Sequence, residues 1–318
     1  MPSPLLAKAE ARKVISTRAQ LAVLLNVHPD LIERVASKPT GFYGHLTIPK
    51  ANGELRTINP PKKPLRAAQR ALLRVLYQRF RIPRYLHGGI PGRSIFTHAS
   101  LHIGHTMVAT LDVKSFFPST SRRHVEPVFA TAGIVGEALE RALALTMLNG
   151  SLPQGSPTSC LLANVAFIPV DQQFLPLCKR RSLNYSRYVD DIAISGDYDF
   201  SELKGPFVNF IREGGYEVAL KKVNFRLSGK RQVVTGLVVN DKLRPTSEFV
   251  KELKHRIRLC MELGPELVAA SEGQTVRELK ASLTGRVGHV GQCDPRVGRH
   301  LRGLMCCVNW KPLVSAVS

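Results

Sequence analysis

The segment NYSRYVDDIAISG, residues 184–196, sets two aspartates, Asp190 and Asp191, between two strand-like stretches. Aspartate is poor in strands and good in tight turns, so the segment reads as a β-hairpin with both carboxylates at its tip. Taken alone, the pair suits a solvated turn as well as a reactive centre. A third carboxylate shifts the balance. Asp112 closes the apolar run VATLD and precedes VKSFFPS, which places it at the end of a buried strand. Two carboxylates ~4 Å apart repel by about 4 kcal/mol at an effective dielectric of about 20. A cluster of them is tolerable when divalent cations lie between the charges. Magnesium prefers oxygen ligands and takes one or two carboxylates together with substrate phosphates. A pair of such ions stabilises the attacking and leaving oxygens of an in-line phosphoryl displacement. Phosphoryl transfer is the chemistry these residues suit.

The charge of the whole chain fits that chemistry. Across 318 residues, 45 Lys and Arg against 24 Asp and Glu leave a net charge of +21. The basic clusters PKKPLRAAQRALLR, RFRIPR, KRR, LKK, GKR and KHRIR are spread along the sequence. Such an excess attracts phosphate backbones, whereas a membrane-surface protein concentrates its charge on one amphipathic helix. Nucleic acid is the expected partner, with no membrane partner. The hydrophobic fraction of 44% argues against disorder. No apolar run is long enough to span a bilayer, and charges break every apolar stretch of MPSPLLAKAEARKVISTRAQ, so a soluble intracellular protein is expected. The six cysteines show no CxxC or zinc spacing and are expected to be free, buried thiols.

Several elements must position the carboxylates. Residues 5–37 carry apolar positions at three- and four-residue steps and predict helix. Within them, TRAQLAVLLNVHPDLIERVAS places two short helices around NVHPD, a pattern shared by any αα-hairpin and by DNA-reading helix-turn-helix units. GHLTIPKANGELRTINPP predicts a hairpin turning at Asn52-Gly53, and residues 64–80 a basic amphipathic helix. HGGIPGRS is a loop, MVATLDVKSFFPS a buried strand ending in a turn, and residues 135–149 a helix. SLPQGSPTS is a loop feeding a helix from near Ser159. After the aspartate hairpin come a helix around 201–213 and the short strands YEVAL, VNFRLS and RQVVTGLVVN. From Glu248 onward the chain reads as mainly helical. Strands in the middle and helices at both ends, without repeats or linkers, predict an α+β chain that packs as one unit.

At this point a family resemblance emerges. RYVDDIAISG resembles the YxDD box of reverse transcriptases, and the neighbouring boxes occur in that family's order. IPKANGELRTINPPKKPLRAAQ looks like the fingers motif and LDVKSFFPS like the first palm motif. LPQGSPTSCLLANV is similar to the template- and nucleotide-positioning motif, and GYEVALKKVNF to the lysine-bearing motif that follows. The resemblance implies an α+β right-hand polymerase of fingers, palm and thumb, with an antiparallel palm sheet backed by helices and a mainly helical thumb. It places the N-terminal helices and fingers at 1–104, the palm at 105–120 and 150–240, a helical insertion at 121–149 and the thumb at 241–318.

The same resemblance implies roles. Asp112, Asp190 and Asp191 form the catalytic set, with Asp112 and Asp190 bridging two Mg²⁺ ions, Asp191 more peripheral and the Val113 carbonyl an added ligand; Mn²⁺ is a possible substitute. Lys50 and Arg56 grip the triphosphate of the incoming dNTP, although a charged hairpin surface also accounts for them. Phe117 is the steric gate against a ribose 2′-OH, with one of Phe116 and Phe117 expected in the core. Gln154 lines the nucleotide pocket beside Gly155, and Lys222, next to Lys221, approaches the phosphates.

Two further stretches narrow the resemblance to bacterial retron reverse transcriptases. Val234-Thr235-Gly236 looks like their VTG signature, and HGGIPGRSIFTHASLH resembles the segment ending in NAxxH. Here that motif runs from His98 to His102, with His98 in place of the asparagine. The two histidines also have the i, i+4 spacing of a helical metal pair, but no acidic residue accompanies them in the motif. The resemblance implies copying of a cognate structured noncoding RNA into multicopy single-stranded DNA, primed from an internal RNA 2′-OH. It implies the RNA and its RNA–DNA product, dNTPs, host RNase H and a phage-defence effector protein as partners, in the bacterial cytoplasm. The length after the thumb leaves no room for an RNase H domain, so that activity is expected from the host. The KELKHRIRLCMEL helix is expected to track a duplex or RNA stem, and Trp310 to anchor a core. Another defence-associated or group-II-like reverse transcriptase, or a catalytically silent RNA-binding scaffold or helix-turn-helix regulator, are the alternatives.

Overall fold

The computed structural model describes residues 13–49, 53 and 55–310. Lys50 and Asn52 lie outside the described residues.

Helices α1 (Arg18–Leu25) and α2 (Pro29–Ser37) form the expected αα-hairpin. A Thr17–Gln20 capping box starts α1, a left-handed Asn26 ends it, and Pro29 suits the first turn of α2. Residues 5–12 of the expected helix lie outside the described residues, and residues 13–17 are not helical: Ile15 bridges Ile134, and its N–H donates to the Gly133 carbonyl at 2.8 Å. A long-range backbone pairing there overrides the helical periodicity. Strands β1 (Leu46–Pro49) and β2 (Leu55–Ile58) form the expected hairpin, with Leu46 opposite Ile58 and Pro49 opposite Leu55. Helix α3 (Lys63–Arg79) buries Leu65, Ala68, Leu72 and Leu76 and exposes its basic side. After the glycine-rich loop, α4 (Ile95–Ala99) carries His98, and a 3₁₀ turn over Ser100–His102 delivers His102.

Strand β3 (Met107–Asp112) buries Met107, Val108, Ala109 and Leu111, while Thr110 and Asp112, on one face, are half-buried. Helices α5 (Phe116–Ser119), α6 (Arg122–Thr131) and α7 (Gly136–Thr146) follow, then α8 (Ser159–Ala166) and α9 (Ile168–Arg180). No single described helix is long and apolar enough to cross a membrane. Helices α8 and α9 together reach that length, but they bend by 50° and bury Leu161, Leu162, Phe167 and Phe174 in the main core.

Strands β4 (Asn184–Tyr188) and β5 (Asp191–Gly196), helix α10 (Lys204–Glu213) and strand β6 (Asn224–Leu227) complete a sheet of order β4-β5-β3-β6, antiparallel throughout. YEVAL is not a strand. Val218 alone bridges Val113, and Leu220–Lys222 winds into a 3₁₀ turn that carries Lys222 back over Asp112. A second sheet holds β7 (Val233–Val234), β8 (Leu237–Val238) and β9 (Arg244–Pro245), in that order. A small cluster of Ala99, Val108, Ala193, Val234 and Leu237 fastens it to the face of the larger sheet that carries Asp112 and Asp191.

Helices α11 (Ser247–Glu262), α12 (Pro265–Ser271), α13 (Val276–Cys293) and α14 (Pro295–Cys306) bear out the helical reading and have their own core, including Leu253, Ile257, Leu283 and Leu301. Trp310 packs on that core as an anchor, its Nε1–H donating to the Met305 carbonyl at 3.0 Å. All six cysteines are free, but Cys306 and Cys307 are exposed because they fall on the outer side of the α14 end.

Candidate active site

The aspartate hairpin closes one residue earlier than its composition suggests. Tyr188 pairs with Asp191, so the two loop residues are Val189 and Asp190, and Asp191 is the first residue of β5. Val189 adopts φ 60°, a left-handed conformation that a β-branched residue rarely takes. A buried polar network holds it there. Arg187, fully buried, donates from Nη1 to the Val189 carbonyl at 2.8 Å. Its Nε and Nη2 donate to the Asp171 carboxylate at 2.8 and 2.7 Å, and Nη1 to Asn164 Oδ1 at 2.9 Å. Tyr185 adds a 2.5 Å hydroxyl bond to Asp171. Burial works against the Arg187 charge, but the Asp171 carboxylate more than offsets it, so the guanidinium pKa is raised. Asn164 Nδ2 then donates to the Gly88 carbonyl at 2.8 Å. A Cβ on Gly88 would lie 2.4 Å from Val189 Cγ2 and 2.7 Å from Val189 N, so only glycine lets this loop press on the turn.

The three carboxylates converge. Asp112 sits directly opposite Asp191 in the β3–β5 ladder, and the Val113 N–H donates to the Asp190 carbonyl at 3.1 Å. Burial raises the Asp190 pKa, and the Asp112 charge raises it further against the opposing fields of Lys222 and Arg56. Burial, then Asp190 and Asp112, push Asp191 up to about 7. Lys222 answers this crowding: its Nζ lies 2.9 Å from Asp112 Oδ1. The donor set is all carboxylate oxygen and mutually repelling, which fits a hard divalent cation. Among the described residues no group of three or more His, Cys, Asp or Glu side chains forms a metal-binding cluster. A site completed by substrate phosphates does not need one.

The remaining residues fall into two groups around this centre. On one side, Phe116 is in the core while Phe117 is only half-buried, so the two rings divide as expected. Arg56 is exposed on β2. The Gln154 carbonyl accepts from Asn59 N–H at 2.8 Å, and a Cβ on Gly155 (φ 93°) would meet Ile58 Cγ2 at 2.7 Å. Gly155 thus lets the 152–157 loop dock against the end of β2. On the other side, Thr235 and Gly236 are the loop of the β7–β8 hairpin, both left-handed (φ 45° and 81°) as in primed turns. His98 Nδ1 is 3.4 Å from Thr235 Oγ1, and His98, Tyr188, Asp191, Asn224, Thr235 and Gly236 line a cavity of about 430 Å³. His102 bonds Ser195 through Nδ1 (2.8 Å) and Ser186 through Nε2 (2.7 Å), cross-linking β5 and β4. Both its nitrogens are committed, so the histidine pair is not a metal site.

The family model described as reverse transcriptase (RNA-dependent DNA polymerase) matches residues 48–254. The chain belongs to the reverse transcriptase family. It is 30% identical over 279 residues to the Retron Mx65 reverse transcriptase of Myxococcus xanthus, covering 81% of this chain and 63% of that one. It is 30% identical over 293 residues to the Retron Mx162 reverse transcriptase of the same organism, covering 81% and 59%. The Retron Ec86 reverse transcriptase of Escherichia coli is 29% identical over 223 residues, covering 68% and 69%. The chain spans about three fifths of the length of the two Myxococcus relatives. For a reverse transcriptase, the antiparallel sheet with its flanking helices is the palm of a right-hand polymerase fold. In this reverse transcriptase the parts that sequence reading missed are Arg187, Asp171, Asn164 and Gly88. An arginine inside a strand and an aspartate inside the apolar helix IPVDQQF were the available signals.

Proposed function

We propose that this chain is a retron-type RNA-directed DNA polymerase. It copies a cognate structured noncoding RNA into multicopy single-stranded DNA, starting from an internal RNA 2′-OH. The observation that carries the reading is Asp112 opposite Asp191 with Asp190 in the adjoining turn, within a chain of this family. The retron assignment is supported by similarity to retron enzymes along 81% of the chain, and by the meeting of His98 with the Thr235-Gly236 turn beside Asp191. Residues 1–104 form the N-terminal helices and fingers, 105–120 and 150–240 the palm, 121–149 a helical insertion and 241–318 the thumb. The separate core of α11–α14 supports the last boundary.

Asp112 and Asp190 would hold two divalent ions, Mg²⁺ with Mn²⁺ as a substitute, with Asp191 in a more peripheral role and the Val113 carbonyl as an added ligand. When bound, the ions supply activation of the attacking hydroxyl and neutralisation of the leaving pyrophosphate. The primer oxygen forms a bond to the α-phosphorus of the dNTP, and the bond to the β-phosphate oxygen breaks. Lys222, two-thirds exposed at its side chain, exchanges its contact with Asp112 for phosphate. Arg56 grips the triphosphate with Lys50, and Gln154 lines the nucleotide pocket. Phe117 excludes a ribose 2′-OH by its bulk, so Phe117→Ala raises ribonucleotide incorporation. The partners are the RNA and its RNA–DNA product, host RNase H and a defence effector, in the bacterial cytoplasm. The test is to characterise the nucleic acid that copurifies with the chain and to supply a primed RNA template, dNTPs and Mg²⁺. A branched RNA–DNA molecule together with template extension is expected. Extension with only unbranched product moves the chain to another bacterial reverse transcriptase class, and absence of extension overturns the reading.

A further inference from the structure

We propose that Gln69 is a positioning residue for the incoming nucleotide: its buried amide fixes the 152–157 loop and so the direction in which Gln154 faces the pocket. Gln69 lies on the core side of α3, between Leu65 and Leu72, and is fully buried. Glutamine is mostly exposed in folded proteins, and a buried amide without partners is costly. Here the amide joins four segments. Its Nε2 donates to the Tyr43 hydroxyl, ahead of β1, at 2.9 Å, and to the Leu145 carbonyl, in the last turn of α7, at 2.8 Å. Its Oε1 accepts from Ser156 Oγ, in the loop that holds Gln154, at 2.9 Å. A carbonyl can only accept, so Leu145 fixes which end of the amide is NH₂ and leaves the oxygen for Ser156. The Ser156 proton is thereby committed to Gln69, and the Thr158 hydroxyl, 3.0 Å away, donates to Ser156.

The loop needs such an anchor. Gly155, beside Gln154, is exposed at φ 93°, and a glycine backbone sets no direction of its own. Gln154 is half-buried and is aimed by what holds its two flanks. Ahead of the glycine, the Asn59 N–H binds the Gln154 carbonyl at 2.8 Å, and Ser159 Oγ donates to the Pro153 carbonyl at 2.7 Å. Beyond the glycine, Ser156 binds Gln69, which Leu65 and Leu72 root in the core. The helix of Gln69 also follows the β1–β2 hairpin that carries Arg56, so the loop is held in register with that side of the site. The assignment rests on the reading of Gln154 as a wall of the nucleotide pocket.

The test is steady-state primer extension on RNA by the full chain, read as kcat and as KM for dNTPs. Gln69→Met keeps the length of the side chain and removes the amide. Ser156→Ala removes only the loop's end of the bond and leaves the Tyr43 and Leu145 contacts in place, so it serves where the first variant does not fold. Each is expected to raise the KM for dNTPs about tenfold, the worth of one hydrogen bond to a buried partner, with kcat within about twofold of the parent. A purely structural amide behaves otherwise: its loss lowers the folded fraction, which lowers kcat and leaves KM alone. Gln154→Ala is the reference. In its background Ser156→Ala should raise KM by no more than about twofold further, because the bond acts through Gln154. A KM raised by Gln154→Ala but unmoved by Ser156→Ala overturns the positioning role and leaves the nucleotide pocket standing. A full tenfold rise on top of Gln154→Ala overturns it too, since the bond then acts by another route. A KM unmoved by Gln154→Ala sinks the pocket reading and the positioning role with it.

Discussion

Two ion pairs beside the same hairpin have opposite characters. Arg187–Asp171 is fully buried on both sides, and every donor in it is spent on Asp171, Asn164 or the Val189 carbonyl. Lys222–Asp112 joins a side chain that is 66% exposed to one that is 15% exposed through a single 2.9 Å contact. A dry pair with committed partners cannot exchange them, because an uncompensated charge would remain in a low-dielectric interior. A wet pair exchanges cheaply, because water and other ions replace the lost partner. The first pair therefore sets the shape of the turn, and the second leaves both of its partners able to exchange.

The comparison breaks most visibly at the dry pair. Asp171→Asn should cost about 3–5 kcal/mol of stability by stranding the Arg187 charge, read as a lower urea midpoint at unchanged slope. Replacing both partners, with Arg187→Met and Asp171→Leu, should recover most of that stability yet leave polymerisation impaired, because Val189 loses the donor that holds its left-handed backbone. A double variant as active as the parent would remove the positioning role. Next comes acid. Burial, with the neighbouring His87 charge, lowers the His98 pKa to about 3 from 6.5. Between those values the unfolded chain binds more protons, so stability is full above pH ~6.5 and falls as the pH drops towards the folded value. Going from pH 7 to pH 5 should cost about 2 kcal/mol from His98 alone, and His102, whose pKa burial lowers well below the usual range, adds to the loss. Because Asp191, pushed up to about 7, gains stability over the same range, the loss is read against a His98→Asn variant, and an equal change in parent and variant between pH 7 and pH 5 would contradict a neutral, buried His98. The smallest effect is at the wet pair: Lys222→Met should change the unfolding free energy, read from urea titration, by no more than about 1 kcal/mol while raising the KM for dNTPs. A large loss of stability there would erase the distinction between the pairs.

Much of the site was legible because its signals are local. Asp112 at the end of an apolar strand, the aspartate hairpin and the basic helix at 64–80 each declare themselves within a dozen residues. What was hidden depends on distance. Asp171 and Asn164 lie 16 and 23 residues before Arg187, and no spacing rule joins them. The turn moved by one residue because Asp-Asp outscores Val-Asp on turn preference alone, whereas Arg187 and Gly88 stabilise Val189 through contacts that local sequence does not contain. YEVAL has strand composition but gives up its ladder to bring Lys222 over Asp112. Gly155 was legible as a close approach, while its neighbour, Ile58, was not.

If carboxylates from β3 and the β4–β5 turn jointly hold the divalent ions of nucleotidyl transfer, the loss of one carboxylate removes polymerisation and spares RNA binding. The most direct test is primer extension on RNA with Mg²⁺ by Asp190→Asn beside the parent chain, with RNA affinity measured on the same preparations. No detectable extension at unchanged RNA affinity is expected; extension by the variant at the parent rate would rule out the shared metal site.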